Sequence, residues 1–380
     1  MTQVWPFMPD EQMDDIYEFF TDVMKAEAAE KRIVVRKNAQ RSILLNHIFD
    51  DEAHALYRSI AKRVGSANTI YVPLWMNVLP LGQASQAQTV FNGNTIGLGF
   101  TEKCVVWSSY DDYEVLEITS VTDTSITANS GLTKDYSNCY IVPIREAYAI
   151  NGFSVSRSAF NNYTASVTFK IVDDDDMLQL IPENASSITY EGIPLVPYRP
   201  TRMSNLEESI LDVILEVDNG AGSFAIVRDL EHTVFNQTVE FNFQDRDKLM
   251  TIVRFFSEIS GRSNPFWLPS YFNEIKLLNT ANASCRVKAV LDRPEYVGKY
   301  VYIELKNGQK FLRKITAASL SFGDISITFD SPLGLSVTPD EVLQFCFMVP
   351  VRSDTDMFEL KYSPGMTAIT TFVTTEVSEI

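Results

Sequence analysis

The sequence predicts a mainly β chain with a few helices, an α+β protein built as a tandem duplication. Three observations carry that expectation. Residues 42–77 lie on residues 238–273 without a gap, 196 positions apart. Short Val, Ile and Thr runs alternate with turn residues from about 84 to 148 and again from about 284 to 353. Each copy also holds one amphipathic stretch, opened by acids and closed by glycine, which predicts one principal helix apiece.

In that register Asn46 meets Asn242, Asp51 meets Asp247, Gly65 meets Gly261, Asn68 meets Asn264, Pro73 meets Pro269 and Asn77 meets Asn273. Apolar positions fall on apolar ones: Ile43 on Val239, Leu45 on Phe241, Leu56 on Ile252, Ile60 on Phe256, Trp75 on Tyr271. Upstream, Trp5-Pro6-Phe7-Met8-Pro9 matches Val196-Pro197-Tyr198-Arg199-Pro200, and Asp22-Val23-Met24 matches Asp212-Val213-Ile214. Downstream, Ile118-Thr119 matches Ile315-Thr316, and Ser125-Ile126-Thr127 matches Ser326-Ile327-Thr328. Then Tyr140-Ile141-Val142-Pro143-Ile144-Arg145 falls on Phe347-Met348-Val349-Pro350-Val351-Arg352, and residues 163–169 fall on 366–372. The offset drifts from 191 and 190 upstream through 196 to 207 and back to 203, placing short indels in surface loops. A unit used twice commonly has a geometric job, such as building a ring or a stack.

Element by element, residues 10–28 mix acids with Ile16, Phe19, Phe20 and Val23, spaced for a short helix or an irregular arm. Arg32-Ile33-Val34-Val35-Arg36 and Ser42-Ile43-Leu44-Leu45-Asn46 read as strands. Asp50-Asp51 cap a helix whose apolar face is Ala53, Leu56, Tyr57, Ile60 and Ala61, with Gly65 ending it. In the second copy residues 238–243 alternate as a strand. Asp245 or Asp247 opens a helix carrying Leu249, Ile252, Val253, Phe256 and Ile259, which Gly261 stops.

Aromatic-proline segments follow both helices: Tyr71-Val72-Pro73-Leu74-Trp75 and Phe266-Trp267-Leu268-Pro269-Ser270-Tyr271. Their prolines confine them to an edge or a loop. The β-rich stretches each predict a small antiparallel barrel or sandwich. A last strand pair closes each copy, near 153–172 and 357–377. The expected division is a first β domain over 1–172, an acidic, proline-broken linker over 173–195, and a second β domain over 196–380.

Composition agrees: 380 residues suit two domains, and 45% apolar with 12% aromatic residues are enough for real cores. A net charge of −17 argues against duplex nucleic acid or an anionic membrane as a bound partner. It is compatible with an acidic wall past which DNA slides without sticking. Cys104, Cys139, Cys285 and Cys346 form no Cys-x-x-Cys pair and read as small buried hydrophobes, not a disulfide framework or a zinc site. The N-terminus lacks the basic region of a signal peptide, and no apolar run reaches the about 18 residues of a span, so no membrane anchor is expected.

Catalytic signals are sparse. His54 falls within the first helix, His47 on the strand before it and His232 in a loop. No His-Glu-x-x-His, Gly-x-Ser-x-Gly or Walker glycine loop is present. The chain is therefore read as no enzyme, with no catalytic, cofactor-binding or metal residue assigned. Asp173-Asp174-Asp175-Asp176 lacks the spacing and glycine of a calcium loop and reads as a solvated linker. Asp111, Asp112 and Glu114 alternate with Tyr110 and Tyr113, as in a sugar-binding or glycosidase cleft. Lys306-Asn307-Gly308-Gln309-Lys310, near the same place in the second copy, reads as a hairpin turn, and the turn is preferred. The candidate interface is aromatic: Trp75, Phe266, Trp267 and Tyr271, since Trp and Tyr dominate interface hot spots. Core packing is the preferred place for Trp75 and Tyr271; Phe266 and Trp267 are left open.

Trp5-Pro6-Phe7, then Thr21-Asp22-Val23 followed by Glu30-Lys31-Arg32-Ile33, resemble a family of minor tail proteins of tailed bacteriophages. Gly261-Arg262 with Pro265-Phe266-Trp267-Leu268-Pro269-Ser270 is similar to theirs too. So are the Tyr190-Glu191-Gly192-Ile193-Pro194 to Arg199-Pro200 stretch and the Glu376-Val377 ending. Ala28-Ala29 stands where the family has a glycine, and Asn38-Ala39-Gln40-Arg41 lacks its proline.

The resemblance implies distal-tail or tail-tube-like β-sandwich domains, each carrying a small inserted β-barrel module. It implies a virion structural protein of the tail tip or baseplate, made in the host bacterial cytoplasm and using no cofactor. Such a protein forms a ring around the tail lumen and joins the tail tube to hub or fibre proteins, with DNA and tape measure as passing cargo. Two domains per chain give either a trimer with pseudo-sixfold symmetry or a hexamer. The rival expectation is a carbohydrate-binding or carbohydrate-cleaving module centred on the Tyr110, Asp112 and Glu114 cluster.

Overall fold

The computed structural model describes residues 3–10, 12–26, 29–65, 67–172, 188–201, 207–211, 214–218, 224–228, 234–363 and 367–377. Its architecture is mainly β with a few helices. The acidic run at 173–176 and His232 lie outside the described residues.

The chain opens with a long hairpin. β1 (Met13–Ala26) and β2 (Ala29–Phe49) pair antiparallel from Asp14 opposite Leu44 to Ala26 opposite Ala29. Within the expected helix or arm over 10–28, residues 13–26 are thus a strand, and the two expected strands at 32–36 and 42–46 are one. The burial pattern explains the correction. Met13, Asp15, Tyr17, Phe19 and Thr21 are buried while Glu18, Phe20 and Asp22 are exposed, a period of two.

α1 (Asp51–Val64) follows, its N-terminus closed by Asp50 Oδ1 accepting from the Ala53 N–H at 2.8 Å. Gly65 ends it at φ +56°. β3 (Thr69–Pro73) and a 3-10 turn at Trp75–Asn77 lead into the first module. That module comprises β4 (Leu79–Ala84), β5 (Val90–Asn92), β6 (Lys103–Ser109), β7 (Asp112–Thr122) and β8 (Ser125–Ala128). Phe91, Cys104, Val106, Leu116, Ile126 and Ile141 fill its own core. β9 (Tyr136–Ala159) and β10 (Asn162–Ile171) return to the main sheet.

The second half begins after residues 173–187, which lie outside the described residues. β11 (Thr189–Tyr190) and β12 (Ile193–Pro194) form a short hairpin within the expected linker. β13 (Glu207–Leu211), β14 (Ile214–Asp218), β15 (Phe224–Arg228) and β16 (Val234–Phe243) precede α2 (Arg246–Ile259). Asp245 caps α2 through the Asp247 N–H. The helix ends with Ser260, one residue before the expected glycine, in the left-handed region at φ +51°. β17 (Phe266–Pro269) enters the second module: β18 (Ser284–Val287), α3 (Arg293–Tyr296), β19 (Tyr300–Leu305), β20 (Lys310–Ser321) and β21 (Asp324–Phe329). Its core holds Cys285, Val287, Ile303, Ile315 and Ile327. β22 (Val342–Ser353), β23 (Met357–Ser363) and β24 (Thr367–Glu376) finish the chain. All four cysteines are free and buried, filling apolar space.

Strand registers coincide under the sequence offsets. Ile43 faces Phe169 as Val239 faces Phe372, and Leu45 faces Val167 as Phe241 faces Thr370. Ile16 faces Ser42 as Glu207 faces Thr238, the 191-residue offset of the upstream match. Val4 bridges Tyr71, and Leu195 bridges Trp267, both in parallel. In the modules Ile118 faces Ala128 as Ile315 faces Phe329, each followed by the same irregularity. One expected match shifts. Tyr71 faces Glu146 while Trp267 faces Pro350, an offset of 204 where the Tyr140 and Phe347 segments align at 207. A short apolar run matches itself at several shifts, so residue identity alone does not set its register.

The halves join edge to edge. β1 pairs with β23 from Met13 opposite Tyr362 to Glu18 opposite Met357. One hydrogen-bonded order therefore runs β3-β9-β10-β2-β1-β23-β24-β16-β13. A single core beneath it takes side chains from both halves, among them Trp5, Ile43, Phe169, Phe241, Phe256 and Phe372.

Candidate assembly interface

The expected aromatic interface is packed away. Trp75, Phe266 and Trp267 are buried and Tyr271 is half-buried. Trp75 meets Trp107 edge-on at 5.2 Å, and Phe266 meets Phe255 edge-on at 5.2 Å. The Trp267 ring lies 4.5 Å from Tyr300, and its N–H donates to the Tyr190 carbonyl at 2.9 Å. Tyr271 donates to the Tyr198 carbonyl at 3.3 Å, and burial pushes its hydroxyl pKa well up. Large aromatic area is worth most inside a core, and Pro73 and Pro269 are the last paired residues of β3 and β17. Trp75, Phe266 and Trp267 present no free surface.

The acidic-aromatic cluster is a hairpin end. Tyr110 and Asp111 turn β6 into β7. Asp112 pairs with Lys134, and Glu114 accepts from the Thr133 N–H at 3.0 Å and its hydroxyl at 2.9 Å. Both carboxylates thus brace the neighbouring loop. His54 stacks on Tyr163 at 4.1 Å. His47 is buried beside Trp5, whose indole donates to Nε2 at 3.2 Å while Nδ1 faces the Met8 carbonyl at 3.3 Å. Burial lowers its pKa to about 4, against a small opposing effect of Met8. Among the described residues no group of three His, Cys, Asp or Glu is placed to hold a metal ion. Nor is any helix there long and apolar enough to cross a membrane.

The joint between β1 and β23 gathers the polar chemistry instead. Arg41 grips Asp15 with two bonds, Nε to Oδ1 at 2.8 Å and a terminal nitrogen to Oδ2 at 2.9 Å, both residues being buried. Tyr17 donates to the same carboxylate at 2.9 Å, and the guanidinium lies 5.3 Å from its ring. Burial opposes the charge on Arg41, yet Asp15 and Tyr17 hold it more firmly protonated than usual. Burial likewise raises Tyr17 and Tyr362, the second standing across the joint. Phe358 stacks on Phe256 at 3.9 Å and seals this face.

A second cluster lies further along β1. Asp356 accepts from the Thr21 N–H at 2.8 Å, the Thr21 hydroxyl at 2.9 Å and the Arg262 N–H at 3.1 Å. The Phe19 N–H donates to the Asp356 carbonyl at 2.9 Å. Arg262 reaches the Thr21 carbonyl at 3.3 Å, and Arg32 donates to the Arg262 carbonyl. A cavity of about 390 Å³ beside them is lined by Phe20, Thr21, Asp22, Val23, Arg32, Arg262, Ser353 and Asp354.

Sequence reasoning missed this joint as a site, although its pieces were legible. Thr21-Asp22-Val23, Arg32 and Gly261-Arg262 are segments that carry the tail-protein resemblance, and they meet in one place. Asp15, Arg41 and Asp356 gave no motif, because their meaning depends on pairing across the chain. Neither a protein-family model nor a curated protein matches this sequence.

Proposed function

We propose that the chain is a tandem duplication of a tail-tip β domain and a virion structural protein of a phage tail tip or baseplate. It forms a ring around the tail lumen, as a trimer of paired domains or a hexamer, and joins the tube to hub or fibre proteins. The β1–β23 pairing carries the reading. There one domain-sized unit already adds its edge strand to the next, which is the contact a ring of such units needs. The coincidence of strand registers under the 191, 196 and 203 offsets supports the duplication. The meeting of the resemblance-bearing segments at that joint supports the family reading. Its mechanism is assembly, not chemistry, with a net charge of −17 suited to letting DNA pass without adhesion.

Native mass measurement of the purified protein, together with peptide analysis of disrupted particles, tests the proposal. The expected result is a closed oligomer with a multiple of three chains, present in particles. A strict monomer absent from particles overturns it.

A further inference from the structure

Helix α1 and the outer edge of β9 enclose a groove of about 490 Å³, lined by residues that include Tyr57, Ala61, Lys62, Gly65, Phe153 and Val155. The same place in the second half is full. Gly261 stands 196 residues after Gly65. A Cβ on Gly261 would lie 3.2 Å from the Phe19 Cβ and 2.6 Å from Asp356 Oδ1, whereas one on Gly65 meets nothing within 4 Å. The strand wall differs in the same sense. Val155 faces Ala165 as Tyr362 faces Ala368, yet Val155 is 40% exposed and Tyr362 only 4%. What fills the second groove is β1, through Tyr17 and Phe19.

The strand that corresponds to β1 is β13. Ser209 stands opposite Asn236 as Glu18 stands opposite Gln40. Among the described residues β13 pairs only with β16, and β9 pairs with no strand on its outer side beyond Tyr148, though the Tyr57 hydroxyl donates to the Ser154 carbonyl at 3.0 Å. One end of the sheet is thus an unfilled groove with an open edge, and the other is a strand of the kind that fills it. Charge agrees: Arg58 and Lys62 line the groove, and β13 carries Glu207 and Glu208. In the filled groove the corresponding residues, Arg254 and Glu258, pair with each other at 3.1 Å.

We infer that the α1–β9 groove is the docking site for β13 of a second copy of this chain, so that copies join head to tail as the two halves do within one chain. The inference rests on the ring reading and specifies its contact. β13 adds to the outer edge of β9, with Ile210 at the register position that Phe19 holds beside the filled groove.

Three measurements test it on the full chain. Light scattering across a dilution series compares wild type with Val155→Lys and Ala61→Trp, which obstruct the groove from its two walls. Unfolding midpoints confirm that both variants fold. Benzoylphenylalanine in place of Val155 then reports, after irradiation, which peptide lies against it. The expected results are self-association of wild type, weakening by about tenfold or more in each variant, and a crosslink to residues 207–211 of another copy. Self-association that both variants leave unchanged, or a crosslink to another segment, overturns the groove while leaving the ring reading standing. A wild type that stays monomeric at every concentration overturns both.

Discussion

Arg41 and Gln237 stand 196 residues apart at matching places in the two halves, both buried, one an ion and the other a neutral amide. Arg41 lies beneath a joint that the chain closes for itself, so its bond to Asp15 forms once, on folding, and stays shielded. Gln237 lies on the strand next to β13, at the end of the sheet where no further strand is paired among the described residues. A buried ion demands a permanent partner, because desolvation of an unpaired charge costs several kcal/mol. An amide costs far less when its surroundings change. The contrast separates an edge completed by the fold from one with no paired strand among the described residues.

The largest expected effect breaks the first of these edges. Arg41→Ala leaves Asp15 buried and unpaired and is expected to cost about 3–5 kcal/mol in urea unfolding. Gln237→Ala is expected to cost about 1 kcal/mol, the worth of one neutral hydrogen bond. Replacing Asp15 by Leu and Arg41 by Met together should restore most of the first loss, since an apolar pair of similar volume needs no partner. Equal effects from Arg41→Ala and Gln237→Ala would erase the distinction.

A second pair sharpens it through pH. His47 in the first half corresponds to Phe243 in the second. The folded state holds His47 at about 4 against 6.5 when unfolded, so protonation favours the unfolded chain. Its contribution is complete above 6.5 and is lost as pH falls from there towards 4, by about 3 kcal/mol in all. His47→Phe should flatten that segment of the stability profile. Carboxylate titration remains in both proteins, so the difference between the two profiles isolates the imidazole.

The smallest contrast concerns the paired glycines. Both adopt positive φ, Gly65 at +56° and Gly261 at +65°, so alanine strains each backbone by about 1–3 kcal/mol. Gly261→Ala also drives a methyl against Asp356 and Phe19, which should add about 1–3 kcal/mol. Matched thermal unfolding of the two variants measures the gap, and no gap would mean that the filled groove yields freely.

Local signals announced local structure. Asp50, Asp245 and Gly65 marked helix ends because capping depends on neighbours a few residues away. The β-rich character of 84–148 and 284–353 was legible from turn residues between β-branched runs. The β1–β2 hairpin was not, since Ile16, Phe19, Phe20 and Val23 fit a helical spacing as well as a strand whose outer face is partly apolar. Phe266 and Trp267 were undecidable in sequence, because the same aromatic suits a core or an interface until its neighbours are known. The joint was hidden more deeply. Thr21 and Asp356 are 335 residues apart, and no pattern along the chain encodes a pairing of that separation.

That separation also has a consequence in time. A ribosome adds about 5–20 residues per second, so β1 is finished tens of seconds before β23 exists to cover it. Throughout that interval a nascent chain exposes a bare strand edge, the feature most prone to wrong pairing. β1 waits longer than β16 does for its distant partner, and a chain that stops before residue 357 leaves that edge bare.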